Sequence, residues 1–451
     1  MSPARLGVAW FVATLPVFGA GRVFTSYALA KPVLDGRAVR LPAPLIKANE
    51  SKWNTWARAQ DKNIRARLQQ GDLDSMVNLL LSGTSFTAQP RVAMESLTEA
   101  SKSGVLRARV DDLVAGIRSP GDNERLVFLR RVLRRQGIDA ETPEGAREAG
   151  VFIFTNLQRV AKERLALAER AAKAAPGSLL DRTSFFHDRG VSLDTGIFPN
   201  FSIERTLSDL KQRGVLHEGQ VERVAVIGPG LDFIDKNEDS AFDYYPQQTL
   251  QPFAVYDSLL RLGLARAGGL ALSVFDISAR VIDHLQGARD RARKNEGYGI
   301  QLPREVTREW PPALAAYWGS FGDQVGTSAA PIEPPKLFPR LQTRAVRIRP
   351  EIVLACQPED LNIVVQHLEL AAADRFDLMV GTNVFIYYEA LEQALALENS
   401  GAMLKPGGLL LTNDSLPEVP GGRMRQAGVT IVQFDENDAR SRDAVGWYRK
   451  L

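Results

Sequence analysis

Val221–Lys236, VERVAVIGPGLDFIDK, decides how the rest of the chain is read. Its apolar run reads as a buried strand ending at Gly228-Pro229-Gly230, where missing side chains let a bound nucleotide approach the backbone. Further on, LALSVFDIS repeats the pattern and ends in Asp276, where a carboxylate can accept hydrogen bonds from both ribose hydroxyls. Each feature has a plainer explanation: a tight glycine turn without ligand, or a cap for the helix ARVIDHLQGARDRARK. Phe376–Tyr388 (FDLMVGTNVFIYY) and Met403–Asp414 (MLKPGGLLLTND) supply two more buried strands with polar residues at their carboxyl ends.

A helix closing at Lys405-Pro406-Gly407-Gly408 and running into LLLTN resembles the fifth-strand signature of class I S-adenosylmethionine-dependent methyltransferases. The order of all four pieces is similar to that family, over roughly residues 180–451. The resemblance implies an α/β fold with a Rossmann-like, mostly parallel seven-stranded sheet, and S-adenosyl-L-methionine as cofactor. It implies that Gly228 and Gly230 approach the methionine part and that Asp276 holds the ribose. It also implies that Asp360 and Leu361, in PEDLNIV, flank the adenine, although a helix cap would look the same. Two positions depart from the pattern. Val226 stands where the family commonly has an acid, and Asp232 replaces the third glycine, so the cofactor's ammonium lacks its usual partner unless Asp232 or Asp235 supplies one.

A narrower likeness is to chemotaxis-receptor glutamate methyltransferases. Phe185 and Phe186 of RTSFFHD, with Asn383 and Tyr387 of TNVFIYY, match that pattern, while His187 and Thr382 stand where it has arginines. This distant similarity does not carry a receptor-glutamate substrate with it.

Composition narrows the field. With 45% apolar and 24% charged residues, 451 residues can build more than one large core. The 56 basic and 53 acidic side chains leave a net charge of +3, too slight to point to a nucleic-acid partner. Cys356 is the single cysteine and the four histidines are scattered, which disfavours a disulfide, a zinc cluster or a histidine metal site. The acidic run Asp235, Glu238, Asp239, Asp243 has no regular ligand spacing and reads as a solvated loop.

Three segments are expected: a leader over residues 1–47, a helical domain over 48–178 and a methyltransferase domain over 179–451. Residues 31–47 are rich in proline and read as extended, whereas 3.6-residue periodicity dominates from about Asn49. In NERLVFLRRVLRRQG, Arg125, Arg130, Arg131, Arg134 and Arg135 alternate with leucines, so they are expected to coat a solvated helix face. An insertion over about residues 297–343 carries Trp310, Tyr317 and Trp318 and reads as a lid or an irregular connection. The strand after it is read as RAVRIRPEIVLAC, and VTIVQF with AVGWYRKL as an antiparallel terminal pair. Gly7–Gly21 is apolar but short of a membrane span, and Ala28-Leu29-Ala30 leaves export or anchoring open beside the cytoplasmic location that the cofactor favours.

Methyl transfer needs alignment and, for a weak nucleophile, a base. The candidates are His187 as base, Asn383 to position the reacting groups, and Tyr387 with Tyr388 and Tyr245 as walls. The expected activity is transfer to oxygen or nitrogen of an unidentified acceptor, a small molecule or a protein. The alternative is a cofactor-binding protein without transfer activity. The sequence leaves the oligomeric state open.

Overall fold

The computed structural model describes residues 21–173, 196–231, 243–306, 309–334, 336, 340–434 and 441–451. The amino-terminal part runs β1 (Arg22–Phe24), α1 (Tyr27–Asp35), α2 (Glu50–Ser82), α3 (Leu97–Lys102), α4 (Val105–Arg118), α5 (Glu124–Arg135) and α6 (Pro143–Lys173). Strands follow, with helices between some of them. The strands are β2 (Arg223–Ile227), β3 (Ala271–Asp276), β4 (Tyr298–Glu305), β5 (Gly326–Ala329), β6 (Leu341–Ile348), β7 (Cys356–Asp360), β8 (Gln366–Leu368) and β9 (Phe376–Val380). They end with β10 (Leu404–Thr412), β11 (Met424–Gln433) and β12 (Arg442–Lys450).

Seven strands form one sheet in the order β11-β12-β10-β9-β2-β3-β7. The five from β10 to β7 are parallel, and β12 joins β10 and β11 antiparallel, as expected for the terminal pair. This is the mostly parallel, Rossmann-like α/β sheet. Alternate residues of each strand serve opposite faces. Val224, Val226, Val274 and Val380 point into one core with the helices Ile197–Gln212, Gln251–Arg261 and Ala279–Ala292. Ala225, Ile227, Phe275 and Met379 point into another with α1, α2 and the helix Ala390–Met403. The Gly407-Gly408 turn lies inside β10, where Gly407 takes φ +77° and the pairing with β9 shifts register.

Several local expectations change. The helix Tyr27–Asp35 runs into the start of the proline-rich lead-in, because the Ser26 hydroxyl caps it at Leu29 N (3.2 Å) and Leu29, Ala30 and Val33 are buried. RAVRIRPEIVLAC is not one strand. Pro350 opens a short helix, Pro350–Ala355, that separates β6 from β7, and the two strands belong to different sheets. The described part of the insertion before it contributes to an antiparallel sheet, β4-β6-β5, and its helix Pro312–Ser320 buries Tyr317 and Trp318. Arg125 is buried rather than solvated, and Asp243 is only 1% exposed.

Those last two residues join the helical region to the sheet. Asp243 accepts from Thr84 N (2.6 Å), Ser85 N (3.1 Å) and the Ser85 hydroxyl (2.7 Å) just beyond α2. Arg125 of α5 donates to the carbonyls of Asp243 (3.2 Å) and Tyr245, and Gln247 N donates to Glu124 Oε2 (2.8 Å). The end of α2 is closed by a second buried arginine: Arg109 donates to the carbonyls of Leu80 (2.6 Å) and Gly83 (2.6 Å), which have no partner within the helix. Burial holds the Arg109 guanidinium down to a pKa of about 10.

Helix α2 itself serves two cores. Trp53, Ala57 and Ile64 pack against the sheet, whereas Met76, Val77, Leu79, Leu80 and Leu81 pack against α3 to α6. Among the described residues, no helix is long and apolar enough to cross a membrane. Trp53 is fully buried, and its indole donates to Thr25 O at 2.6 Å. Trp53→Ala should therefore cost about 3–5 kcal/mol, read as a lowered denaturation midpoint, as expected for a large core cavity. An unchanged midpoint would show that α2 is not seated on the sheet.

Candidate functional site

Strand order reverses between β2 and β9, so the chain leaves these neighbours in opposite directions and opens a crevice beyond their carboxyl ends. Gly228 and Gly230 lie at the β2 end with φ of +61° and +70°, conformations costly for any residue with a side chain. Gly228 N donates to Phe275 O (2.8 Å), which holds the turn against β3. A Cβ on Gly228 would lie 2.2 Å from Val384 Cγ2, so the protein's own packing already requires this glycine. Val226 is fully buried in the core.

Asp276 ends β3 and pairs in register with Asp360 at the end of β7. It is 5% exposed, and its Oδ1 accepts from Ser278 N at 2.8 Å, so it braces the start of the helix Ala279–Ala292 while the Ser278 side chain makes no capping bond. Burial, reinforced by the neighbouring Asp360, pushes its pKa up to about 7. Asp360 is ion-paired with Arg65 of α2 (2.7 Å) and Arg22 of β1 (3.0 Å). Arg65 also holds Asp61 (3.0 Å) and Ile277 O (3.2 Å). Leu361 is buried, and its N–H donates to Asp276 O (3.0 Å).

The loop after β9 completes the edge. Asn383 has φ +56°, a region asparagine tolerates better than most residues. It is held reciprocally: Asn383 N donates to Asn413 Oδ1 (2.8 Å), and Asn413 Nδ2 donates to Asn383 Oδ1 (2.9 Å). Asp414 accepts from Phe385 N (3.0 Å), and burial raises its pKa to about 7. Tyr387 and Tyr388 are buried. The Tyr387 carbonyl accepts from Arg67 of α2, whose guanidinium also faces Glu392 at 3.9 Å. On the other side of the crevice, Gln251 Nε2 donates to Thr382 Oγ1 at 2.6 Å.

The fold thus gathers Gly228, Gly230, Asp276, Asp360, Leu361, Asn383 and Tyr387 along one carboxyl edge. Tyr245 is placed differently: it packs with Leu341 and Tyr244, and its ring lies 5.5 Å from the Arg125 guanidinium. His187, Asp232, Asp235, Phe185 and Phe186 lie outside the described residues. Arg65, Arg67, Gln251, Asn413 and Asp414 were missed. For the last two a cue existed, since polar residues directly after the apolar run LLLT mark a strand end at the crevice. Among the described residues no group of three or more His, Cys, Asp or Glu is arranged to hold a metal ion. The edge offers a buried acceptor at Asp276, a close-approach turn and an apolar wall at Leu361, a combination suited to a ribose-bearing ligand.

No protein-family model matches the chain, and no curated protein matches it in sequence. Among solved structures it is similar to the N-methyltransferase NodS from Bradyrhizobium japonicum WM9 in complex with S-adenosyl-L-homocysteine, at 14% identity and a TM-score of 0.27, covering 55% of this chain and 85% of that one. TrmN from Thermus thermophilus aligns at 11% identity and a TM-score of 0.25, covering 56% and 52% of the two chains. The glycopeptide N-methyltransferase MtfA complexed with S-adenosyl-L-methionine aligns at 12% and 0.22, covering 54% and 76%. At such identities and scores the likeness adds nothing to what the strand order itself shows.

Proposed function

We propose that this chain is an S-adenosyl-L-methionine-dependent methyltransferase acting on oxygen or nitrogen of an acceptor. The observation that carries the reading is Asp276. It is a buried carboxyl at the end of the strand next to the glycine turn, with acceptor capacity beyond the bond from Ser278. Residues present along the edge fit the cofactor: Gly228 and Gly230 beside its methionine part, Asp276 at the ribose hydroxyls, Leu361 against the adenine. When bound, the cofactor supplies an electrophilic methyl group, transferred as the acceptor's lone pair forms the new bond and a neutral thioether departs. Asn383 aligns the reacting groups from a loop fixed by Asn413 and Asp414, and His187 takes the acceptor's proton.

A cofactor-binding protein without transfer activity is the second reading. It is favoured by Val384, which fills the space at Gly228 and so accounts for that glycine without a ligand.

Calorimetry should detect S-adenosylhomocysteine and not a nicotinamide dinucleotide. Saturation by the dinucleotide alone would exclude the reading. Asp276→Asn should weaken the correct ligand tenfold to a hundredfold, the loss of about 1.5–3 kcal/mol of hydrogen bonding to a charged acceptor. His187→Ala should lower turnover on labelled acceptor by about 10²–10⁴ with cofactor affinity unchanged, whereas a loss under about threefold would remove it from the mechanism.

A pH series gives an independent test. Asp276 and Asp414 have folded pKa values raised to about 7, so the folded protein holds more protons than the unfolded chain between about pH 4 and 7. Stability of the ligand-free protein should fall as pH rises through that window. Affinity for the sulfur nucleoside should move the other way, rising as Asp276 ionises. Asp276→Asn should flatten the affinity profile and make the stability profile shallower, leaving the share due to Asp414, and unchanged slopes would show that the Asp276 carboxyl does not titrate there.

A further inference from the structure

Asn383 and Asn413 hold each other in one sense only. A backbone N–H can only donate, so the bond from Asn383 N to Asn413 Oδ1 (2.8 Å) fixes which end of the Asn413 amide is oxygen. Its nitrogen lies 2.9 Å from Asn383 Oδ1 and 3.5 Å from Asp443 Oδ2 at the start of β12, two acceptors that agree with this assignment. With its oxygen taken up by Asn413, Asn383 keeps its two Nδ2 hydrogens, which have no partner among the described residues. Asn383 is exposed, and its neighbours in the chain meet the opposite wall of the crevice: Thr382 Oγ1 accepts from Gln251, and Val384 fills the space at Gly228. The asparagine therefore stands at the crevice with a donor, and not an acceptor, to offer. The carboxyls beside it are held by backbone donors, Asp414 by Phe385 N (3.0 Å) and Asp443 by Ala444 N (3.0 Å). Burial raises the pKa of both, and among the described residues no cation opposes that rise.

We infer that the group methylated at this edge is an uncharged hydroxyl, whose oxygen accepts a hydrogen bond from Asn383 Nδ2. The inference deepens the methyltransferase reading and rests on it for the methyl transfer. A neutral amine has one lone pair, which must be free to attack the methyl group, and a donor at Asn383 would occupy it. A hydroxyl oxygen has two. One accepts from Asn383, while the other forms the bond from oxygen to methyl as the bond from sulfur to methyl breaks and leaves its electron pair on sulfur. The hydroxyl proton passes to the base, His187 in the reading above. A carboxylate also has lone pairs to spare, but it would come to rest near Asp414 and Asp443 with no cation to offset the repulsion.

The test follows the Asn383 side-chain amide of the full chain by heteronuclear NMR, its signals assigned by their loss in Asn383→Asp. At about pH 8, where carboxyls are ionised, phenol should shift these signals, whereas acetate and ethylammonium should not, with or without S-adenosylhomocysteine. The paired exchange Asn413→Asp with Asp443→Asn keeps the total charge and an acceptor for Asn383 N, but removes the donor to Asn383 Oδ1. The Asn383 amide should then turn its nitrogen to the new carboxylate and its oxygen outward, and ethylammonium should bind about threefold to tenfold more tightly, the effect of one hydrogen bond. Acetate or ethylammonium shifting the wild-type amide as strongly as phenol, no probe shifting it, or a folded exchanged pair without the gain would overturn the inference. Should the exchanged pair fail to fold, the wild-type panel decides alone. A phenol shift in a protein that does not bind S-adenosylhomocysteine would keep Asn383 as a donor to hydroxyls and remove the methyl transfer.

Discussion

Everything at the carboxyl edge of the sheet depends on the seating of α2. This 33-residue helix packs Trp53, Ala57 and Ile64 on the sheet face that holds Ala225, Ile227, Phe275 and Met379. The connection from β7 to β9 contains only the short β8 and a single 3₁₀ turn, so it offers no long helix of its own to cover that face. A parallel sheet must be covered on both sides, and here the missing layer is supplied from the amino-terminal part of the chain. The same helix then delivers Arg65 to Asp360 and Arg67 to Tyr387 O, so packing and site geometry have one source.

The second constraint is electrostatic. Asp276 is buried and Asp414 partly so, and both are held by backbone N–H groups rather than by a cation. An arginine at either place would fix the charge and lower the pKa; backbone donors orient the carboxyl and leave its protonation responsive near neutrality. By contrast, Asp360, the partly exposed member of the edge, receives two guanidinium groups. Charge is thus neutralised at the rim and left adjustable inside.

What could be read from the sequence was what is local. The run RVAVI before Gly228, the strand ending in Asp276 and the buried FDLMV and LLLT runs announced themselves by composition and by turn residues. The partners of the helices could not be read, because periodicity shows that one face is buried and not against what. Arg125 illustrates this: its spacing matches that of the solvated arginines on the same helix, yet it is buried against the distant carbonyls of Asp243 and Tyr245. RAVRIRPEIVLAC misled because it looked like one buried run, although Pro350 divides it between two sheets. CQPED was hard to see as a strand, since an edge strand with polar residues carries a weak apolar pattern.

The shared helix also makes the two cores mechanically dependent. Trp53 and Leu81 stand ~42 Å apart along a rod rising 1.5 Å per residue. Pivoting such a lever by about 3° on its seat carries the far end through ~2 Å, enough to break a hydrogen bond. Just past that end, Thr84 and Ser85 grip Asp243. A displacement of the helical core would therefore be felt first at the hydrogen bonds that Thr84 and Ser85 make to Asp243.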